Sequence, residues 1–147
     1  MHGRLACLLF LLSTLAFAGE PAVGDDTLGA AQALLLWQVS SNRISPTSSM
    51  HFSVSIDGHD LPQPVVENLR RSTGIMFAPG SMFKAEANAV GKSWKIHIGK
   101  PALRADGNYE LTWGYYCGSL CASSNTAILH HDSAGWHVID SQLRWVS

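Results

Sequence analysis

The sequence has 147 residues, of which 46% are hydrophobic and only 14% are charged, and its formal net charge is −1. This composition is typical of a folded globular domain and not of a disordered chain. The near balance of acidic and basic residues disfavours a nucleic-acid partner, which requires a basic surface.

The first 18 residues have the three parts of a secretory signal peptide. Arg4 supplies the positive end, an apolar run extends from Leu5 to Phe17, and Ala16 and Ala18 frame an A-x-A cleavage site. The run is shorter than the roughly 20 residues that cross a bilayer, so we expect no transmembrane anchor in the mature chain. The sequence therefore predicts export to the periplasm or outside the cell. Residues 1–18 would be cleaved, residues 19–26 would form a flexible start, and residues 27–147 would form one domain.

Two helices and one strand are predicted before residue 80. Apolar residues at positions 28–35 recur at helical spacing after an acidic pair, and this helix is expected to end near Ser41. The segment "MHFSVSID" alternates polar and apolar residues, which predicts a half-buried strand that closes in an Asp-Gly turn. Pro64 and Gly74 mark the start and the stop of a second, short helix.

From residue 80 onward the sequence predicts strands. "SWKIHIG" and "NYELTWGYYC" alternate, and the last 23 residues predict a hairpin that turns near residues 132–135. We therefore predict an α+β fold: an N-terminal helix, a strand, a short helix and an antiparallel β-meander, with the helices on one face of a twisted sheet.

The closing strand cannot keep one alternation along its whole length. Trp136 and Val138 would share one face while Leu143 and Trp145 share the other, so a bulge is expected near residues 140–142. The tryptophans of this region, Trp145 included, are assigned to the core, because large aromatic side chains dominate protein cores.

Cleavage of the signal would remove Cys7 and leave Cys117 and Cys121. In an oxidising compartment such a pair, separated by a glycine-containing turn, predicts a disulfide. Two alternatives are a redox-active pair and a metal site completed by His130 and His131. The C-x-x-x-C spacing and the absence of a following helix pattern disfavour the redox alternative.

The C-terminal part of the sequence resembles a recurring pattern in small bacterial secreted proteins, a functionally uncharacterised group. The pattern runs Y-C-G-x-L-C, an apolar strand, a Gly-Trp turn and a final W-[IV]-S, and the likeness extends over residues 61–147. Ala122 departs from it, because the pattern usually has glycine there. The resemblance implies an ordered fold and a disulfide, and it brings no catalytic residue with it.

The segment "APGSMFK" resembles the S-x-x-K motif of penicillin-recognising serine acyltransferases, in which the lysine helps to deprotonate the serine. Ser81 and Lys84 are therefore weak catalytic candidates. An S-x-N triplet follows at residues 123–125, but no K-T-G follows it, and on a strand two residues three apart point to opposite faces. The preferred interpretation is a Pro-Gly turn that leads into a strand, with Met82 or Phe83 packed and Lys84 in solvent.

The histidines near the last hairpin are the best metal-like cluster. Adjacent histidines on a strand face opposite sides, so only one of His130 and His131 can share a site with His137. His131 and His137 are the weak candidates. Two ligands at a hairpin tip make a poor zinc site, so no metal and no cofactor are predicted.

Contact residues are expected beside the cysteine turn. Tyr116 should point away from the apolar face of its strand, and Leu120 lies within the turn. We expect a non-catalytic domain that binds a protein or a small ligand outside the cytoplasm. The alternatives are a serine acyltransferase or hydrolase that uses Ser81 and Lys84, and a curved sheet with a small-ligand pocket.

Overall fold

The computed structural model of the chain describes residues 23–41, 50–85 and 92–147, so the predicted signal peptide lies outside the described residues. These described residues form two helices and eight strands. The helices are α1 (Asp25–Ser40) and α2 (Gln63–Thr73). The strands are β1 (His51–Ile56), β2 (His59–Asp60), β3 (Met76–Pro79), β4 (Ser93–Ile98), β5 (Ala102–Leu103), β6 (Tyr109–Gly118), β7 (Cys121–Asp132) and β8 (Gly135–Val146).

Both helices begin and end where local chemistry favours it. Helix α1 begins at Asp25, two residues before the predicted domain boundary, because an acidic pair in the first turn interacts favourably with unpaired backbone N–H groups. Helix α2 has Pro64 in its first turn and ends at Gly74, whose φ of 72° suits glycine. The predicted bounds of α2 are therefore confirmed.

The strands form one mixed sheet, with the order β2-β1-β4-β6-β7-β8, while β3 pairs with β1 and β5 with β6. Strand β1 runs parallel to both β3 and β4, and the other pairs are antiparallel. The α+β class is confirmed, but the prediction of a purely antiparallel meander is wrong. Alternation reports which face a side chain takes, and it does not report the direction of the neighbouring strand.

A single core joins both helices to one face of the sheet. Leu34 and Leu35 of α1 and Leu69 of α2 are buried in the same cluster as Phe52 of β1 and Leu111 of β6. The opposite face of the sheet, which we call the open face, carries mostly polar side chains and is partly covered by a 3₁₀ turn at Gly80–Met82.

Candidate functional site

The turn between β6 and β7 has only two residues, Ser119 and Leu120. Gly118 pairs with Cys121 across it, and the φ of 142° at Gly118 is one that side chains rarely adopt. A disulfide joins Cys117 to Cys121, with 5.1 Å between their Cα atoms, so the predicted bond is confirmed. The bond fixes the base of the turn, and Leu120 projects from its tip with 88% of its surface exposed.

The end of β8 lies beside this turn. Ser123 pairs with Val146 and Ser124 pairs with Trp145, so the last residues of β8 reach the first residues of β7. Large apolar side chains are exposed around this end of the sheet. We call this set the apolar corner: Tyr116, Leu120, Leu143, Trp145 and Val146.

Two irregularities in the β7–β8 pairing help to create this surface. One makes Ile139 an extra residue between Val138 and Asp140, and the other makes Arg144 an extra residue between Leu143 and Trp145. The single bulge expected near residues 140–142 is therefore replaced by two that flank a regular segment. They place Leu143 opposite Asn125 on the inner face and Trp145 opposite Ser124 on the open face, so the expectation that these two side chains share a face is wrong. Trp145 is 53% exposed, so its assignment to the core is wrong.

Tyr116 lies on the open face, where it pairs with Lys95 of β4 and Ala122 of β7. Its ring meets Phe83 edge to face, with 5.9 Å between ring centroids, and 38% of the residue stays exposed. Phe83 is thus the packed residue of the "APGSMFK" segment, whereas Met82 and Lys84 are exposed. The contact orients the Tyr116 ring and leaves part of it exposed.

Ser81 contacts Asp60 and not Lys84. The Ser81 hydroxyl donates to one Asp60 carboxylate oxygen at 2.5 Å, and the Ser81 backbone N–H donates to the other at 2.7 Å. These bonds, with the side-chain bond foremost, hold the pKa of Asp60 below its ordinary value. The 3₁₀ turn ends at Met82 and Phe83 is extended, so the helical spacing that would bring Lys84 beside Ser81 is absent from this segment. The pair carries a structural capping role.

The histidines divide between the two faces of the last hairpin. His137 pairs with His130, and both approach Asp132, with Nε2 to carboxylate oxygen distances of 3.3 Å and 3.9 Å. His131 instead stacks on Trp136, with 4.5 Å between ring centroids. The structure therefore does not bring the candidates His131 and His137 together. Within residues 23–41, 50–85 and 92–147, no group of three or more His, Cys, Asp or Glu side chains is arranged to hold a metal ion.

Sequence reasoning missed the position of His97. Its ring lies across Gly114 of β6, where a Cβ atom would collide with that ring and with the carbonyl oxygen of Ser123. Desolvation, aided by the charge of Lys95, lowers the pKa of His97. The available signal was the glycine inside a strand, which often marks a close approach. Ser124 of β7 and Trp145 of β8 continue the same row across the sheet.

Charged side chains on the open face form a network next to the apolar corner. Arg144 donates from Nε to the Thr126 hydroxyl at 2.7 Å, and its Nη2 lies 3.9 Å from Glu110. Glu110 also accepts from Arg104 at 3.1 Å. Arg144 is thus held against β7.

Comparison with known proteins gives no relative from which a role could be carried over: no protein-family model, curated protein or solved structure matches the chain. In the described part of the chain, no helix is long and apolar enough to cross a membrane.

Proposed function

We propose that this protein is an exported, non-catalytic binding domain, and that the apolar corner is where it holds a partner protein. The observation that carries the proposal is the exposure of Leu120, Trp145 and Val146 together at one end of the sheet. Exposed apolar patches of this kind mark interaction sites, and tryptophan and tyrosine contribute strongly to binding energy at protein interfaces.

The rigidity of the corner supports the same proposal. Leu120 sits on a two-residue turn whose base is a disulfide, and Tyr116 is braced by Phe83. A surface that is already ordered loses less conformational entropy when it binds, which favours affinity. The disulfide also suits a protein that works in an oxidising compartment, and this supports export.

The alternatives draw less support from the geometry. A serine acyltransferase needs a base beside its nucleophile, but the Ser81 hydroxyl donates to Asp60 and the lowered pKa of Asp60 makes that carboxylate a poor base. A ligand pocket inside the curved sheet needs space over the inner face, where Leu34, Leu35 and Leu69 are packed.

The test is capture of a partner by the immobilised mature chain from the exported fraction of the cells that make it. We expect Leu120→Ala and Trp145→Ala to reduce capture by about tenfold or more, because truncating a hot-spot residue costs about 2 kcal/mol or more and about 1.4 kcal/mol is already tenfold in affinity. Leu103→Ala is the matched control, since Leu103 is also an exposed leucine, at 69%, but lies on β5. If both corner variants captured the same proteins as the parent with unchanged yield, the apolar corner would not be the binding surface.

A further inference from the structure

Strand β8 is the long edge of the sheet. It has 12 residues and stands last in the strand order, whereas β2 and β3 at the other side have two and four. Among the residues that the structure describes, β8 pairs only with β7, so its outer backbone groups face away from the sheet. The unpaired backbone groups of such an edge are open to pairing with another strand, and the two bulges limit its regular part to Asp140–Leu143.

The exposed edge is also apolar. Ile139, Leu143, Trp145 and Val146 are all more than half exposed. Edge strands of proteins that stay alone usually carry charges or are covered, because an apolar edge promotes association. Strand β8 has only two charged residues after its histidine, Asp140 and Arg144.

The positions of these two charges make β8 complementary to itself. Asp140 lies two residues before Gln142 and Arg144 lies two residues after it, and the segment Asp140–Leu143 pairs regularly with β7 between the two bulges. If a second β8 ran antiparallel about a two-fold axis at Gln142, each Asp140 would lie opposite the other copy's Arg144. Opposite charges directly across a strand pair are stabilising, and like charges are destabilising.

The three polar side chains share one face of the sheet. Asp140 and Gln142 pair with Ile128 and Thr126 of β7, and Arg144 bonds to the Thr126 hydroxyl, so all three reach the open face. The Nη2 atom of Arg144 lies 3.9 Å from Glu110 of the same chain, and the dimer requires Arg144 to exchange this exposed contact for Asp140 of the second copy. Asp140 has no ion-pair partner within the described residues, and its carboxylate accepts from the Ser141 backbone and the Gln142 amide. Its charge is thus held beside the edge and remains available to a cation from another chain.

We propose that the partner at this edge is a second copy of the same chain, paired antiparallel through β8 about a two-fold axis at Gln142. The inference rests on the proposed function, and it names the partner for the β8 side of the apolar corner. The two ion pairs set the register. Ile139 and Trp145, which lie three residues on either side of Gln142, extend the contact beyond them. A two-fold axis makes the contact isologous, so it closes at a dimer and does not continue into a fibre.

The experiment is sedimentation of the mature chain and of two charge-reversal variants between about 1 μM and 1 mM. The parent is expected to form a dimer. Asp140→Arg and Arg144→Asp should each weaken self-association by about tenfold or more, because each places like charges opposite each other twice. An equal mixture of the two variants should recover the dimer, because every pair then becomes opposite in sign. Raised salt should weaken the parent dimer as well.

A cross-linking measurement keeps the proposal testable if Arg144→Asp fails to fold. Gln142→Cys places two thiols on the axis, where opposite Cα atoms in an antiparallel pair lie about 4.5 to 5.5 Å apart, which a disulfide can span. This variant should form an intermolecular disulfide under mild oxidation, whereas Leu103→Cys on β5 should not.

A parent that stays monomeric at the highest concentration would overturn the inference. So would a dimer that is unaffected by both charge reversals, or a mixture that does not associate. If the chain is a monomer but still captures another protein in a way that Trp145→Ala abolishes, the inference fails and the proposed function stands. If the dimer forms in the expected register but Leu120→Ala and Trp145→Ala change no capture, the dimer stands and the proposed function fails.

Discussion

At the scale of single residues, Asp60 and Ser81 show that a motif depends on its neighbours in space. The spacing of Ser81 and Lys84 suggested a nucleophile and a base. The fold instead places Asp60 beside Ser81, although the two are 21 residues apart in sequence. Their hydrogen bonds anchor the 3₁₀ turn to the strand that ends at Asp60, so the serine supports the open face.

We predict that Asp60→Asn destabilises the protein by about 1 kcal/mol or less at pH 7, because the carboxylate is exposed and its bonds are screened by solvent. The lowered pKa of Asp60 sets the pH dependence. The carboxylate contributes stability above its ordinary pKa of 3.8, and this contribution is lost as the pH falls through the lowered value. Urea unfolding across this pH range should therefore show a difference in free energy of unfolding between parent and variant, and this difference should disappear in acid.

Ser81→Ala is the matched control for this prediction, because it removes the hydroxyl and leaves the backbone N–H bond to Asp60 in place. It should lose part of the same stability and raise the pKa of Asp60 toward its ordinary value. If the difference in free energy of unfolding between parent and Asp60→Asn were the same at every pH, the ionised carboxylate would not be what stabilises the turn.

Which residue-level features the sequence could predict depends on the range of the contacts. The outward direction of Tyr116 followed from the alternation of its own strand. That His130, and not His131, lies opposite His137 could not be predicted, because it depends on the register between β7 and β8. The position of His97 over Gly114 depends on the pairing of β4 with β6, and no local pattern reports that pairing.

At the scale of elements, β8 is where sequence and structure differ most. Its early residues follow the expected pattern: Trp136 is half-buried and lies against Gly29 of α1. Beyond Val138 the bulges shift the alternation and the strand extends past the cover of the core. Leu143 and Trp145 are therefore exposed even though their residue types favoured the core. The break in the alternation of apolar residues along this strand indicated a bulge, but it could not show that there were two.

This difference leads to a comparison of two tryptophans. We predict that Trp113→Ala costs about 3 to 5 kcal/mol of unfolding free energy, because Trp113 is only 6% exposed and leaves a cavity. Trp145→Ala should cost less than about 1 kcal/mol in dilute solution, because its side chain is half in solvent. Denaturant unfolding of the parent and the two variants, fitted with one m-value, would measure both losses of unfolding free energy. A loss at Trp145 as large as that at Trp113 would mean that Trp145 packs in the core.

At the scale of the whole molecule, one core ties the early helices to the late strands. Buried residues of α1 pack in the same cluster as those of β6 and β7, which come much later in the chain. Helix α1 also contacts β8, with Gly29 lying against Trp136 at the start of the strand, whereas the side chains at the end of the strand are exposed. The class of the fold followed from the order of helical and strand patterns, but the parallel pairing of β1 with β4 required the complete sheet.

The predicted signal peptide and the disulfide are linked through the compartment in which the chain folds. We expect the full-length chain to be exported, to begin at Gly19 after cleavage, and to have an intact mass that shows Cys117 and Cys121 joined. Reduction should cost about 2 kcal/mol of unfolding free energy, which is the loop-entropy value for so short a closed loop. The matched control is the same chain started at Gly19 without a leader, which should stay in the cytoplasm with both thiols free to alkylate. If the product stayed in the cytoplasm and kept residues 1–18, the prediction of export would be wrong. If the exported protein had two cysteines that could be alkylated, the bond could not be what fixes the apolar corner.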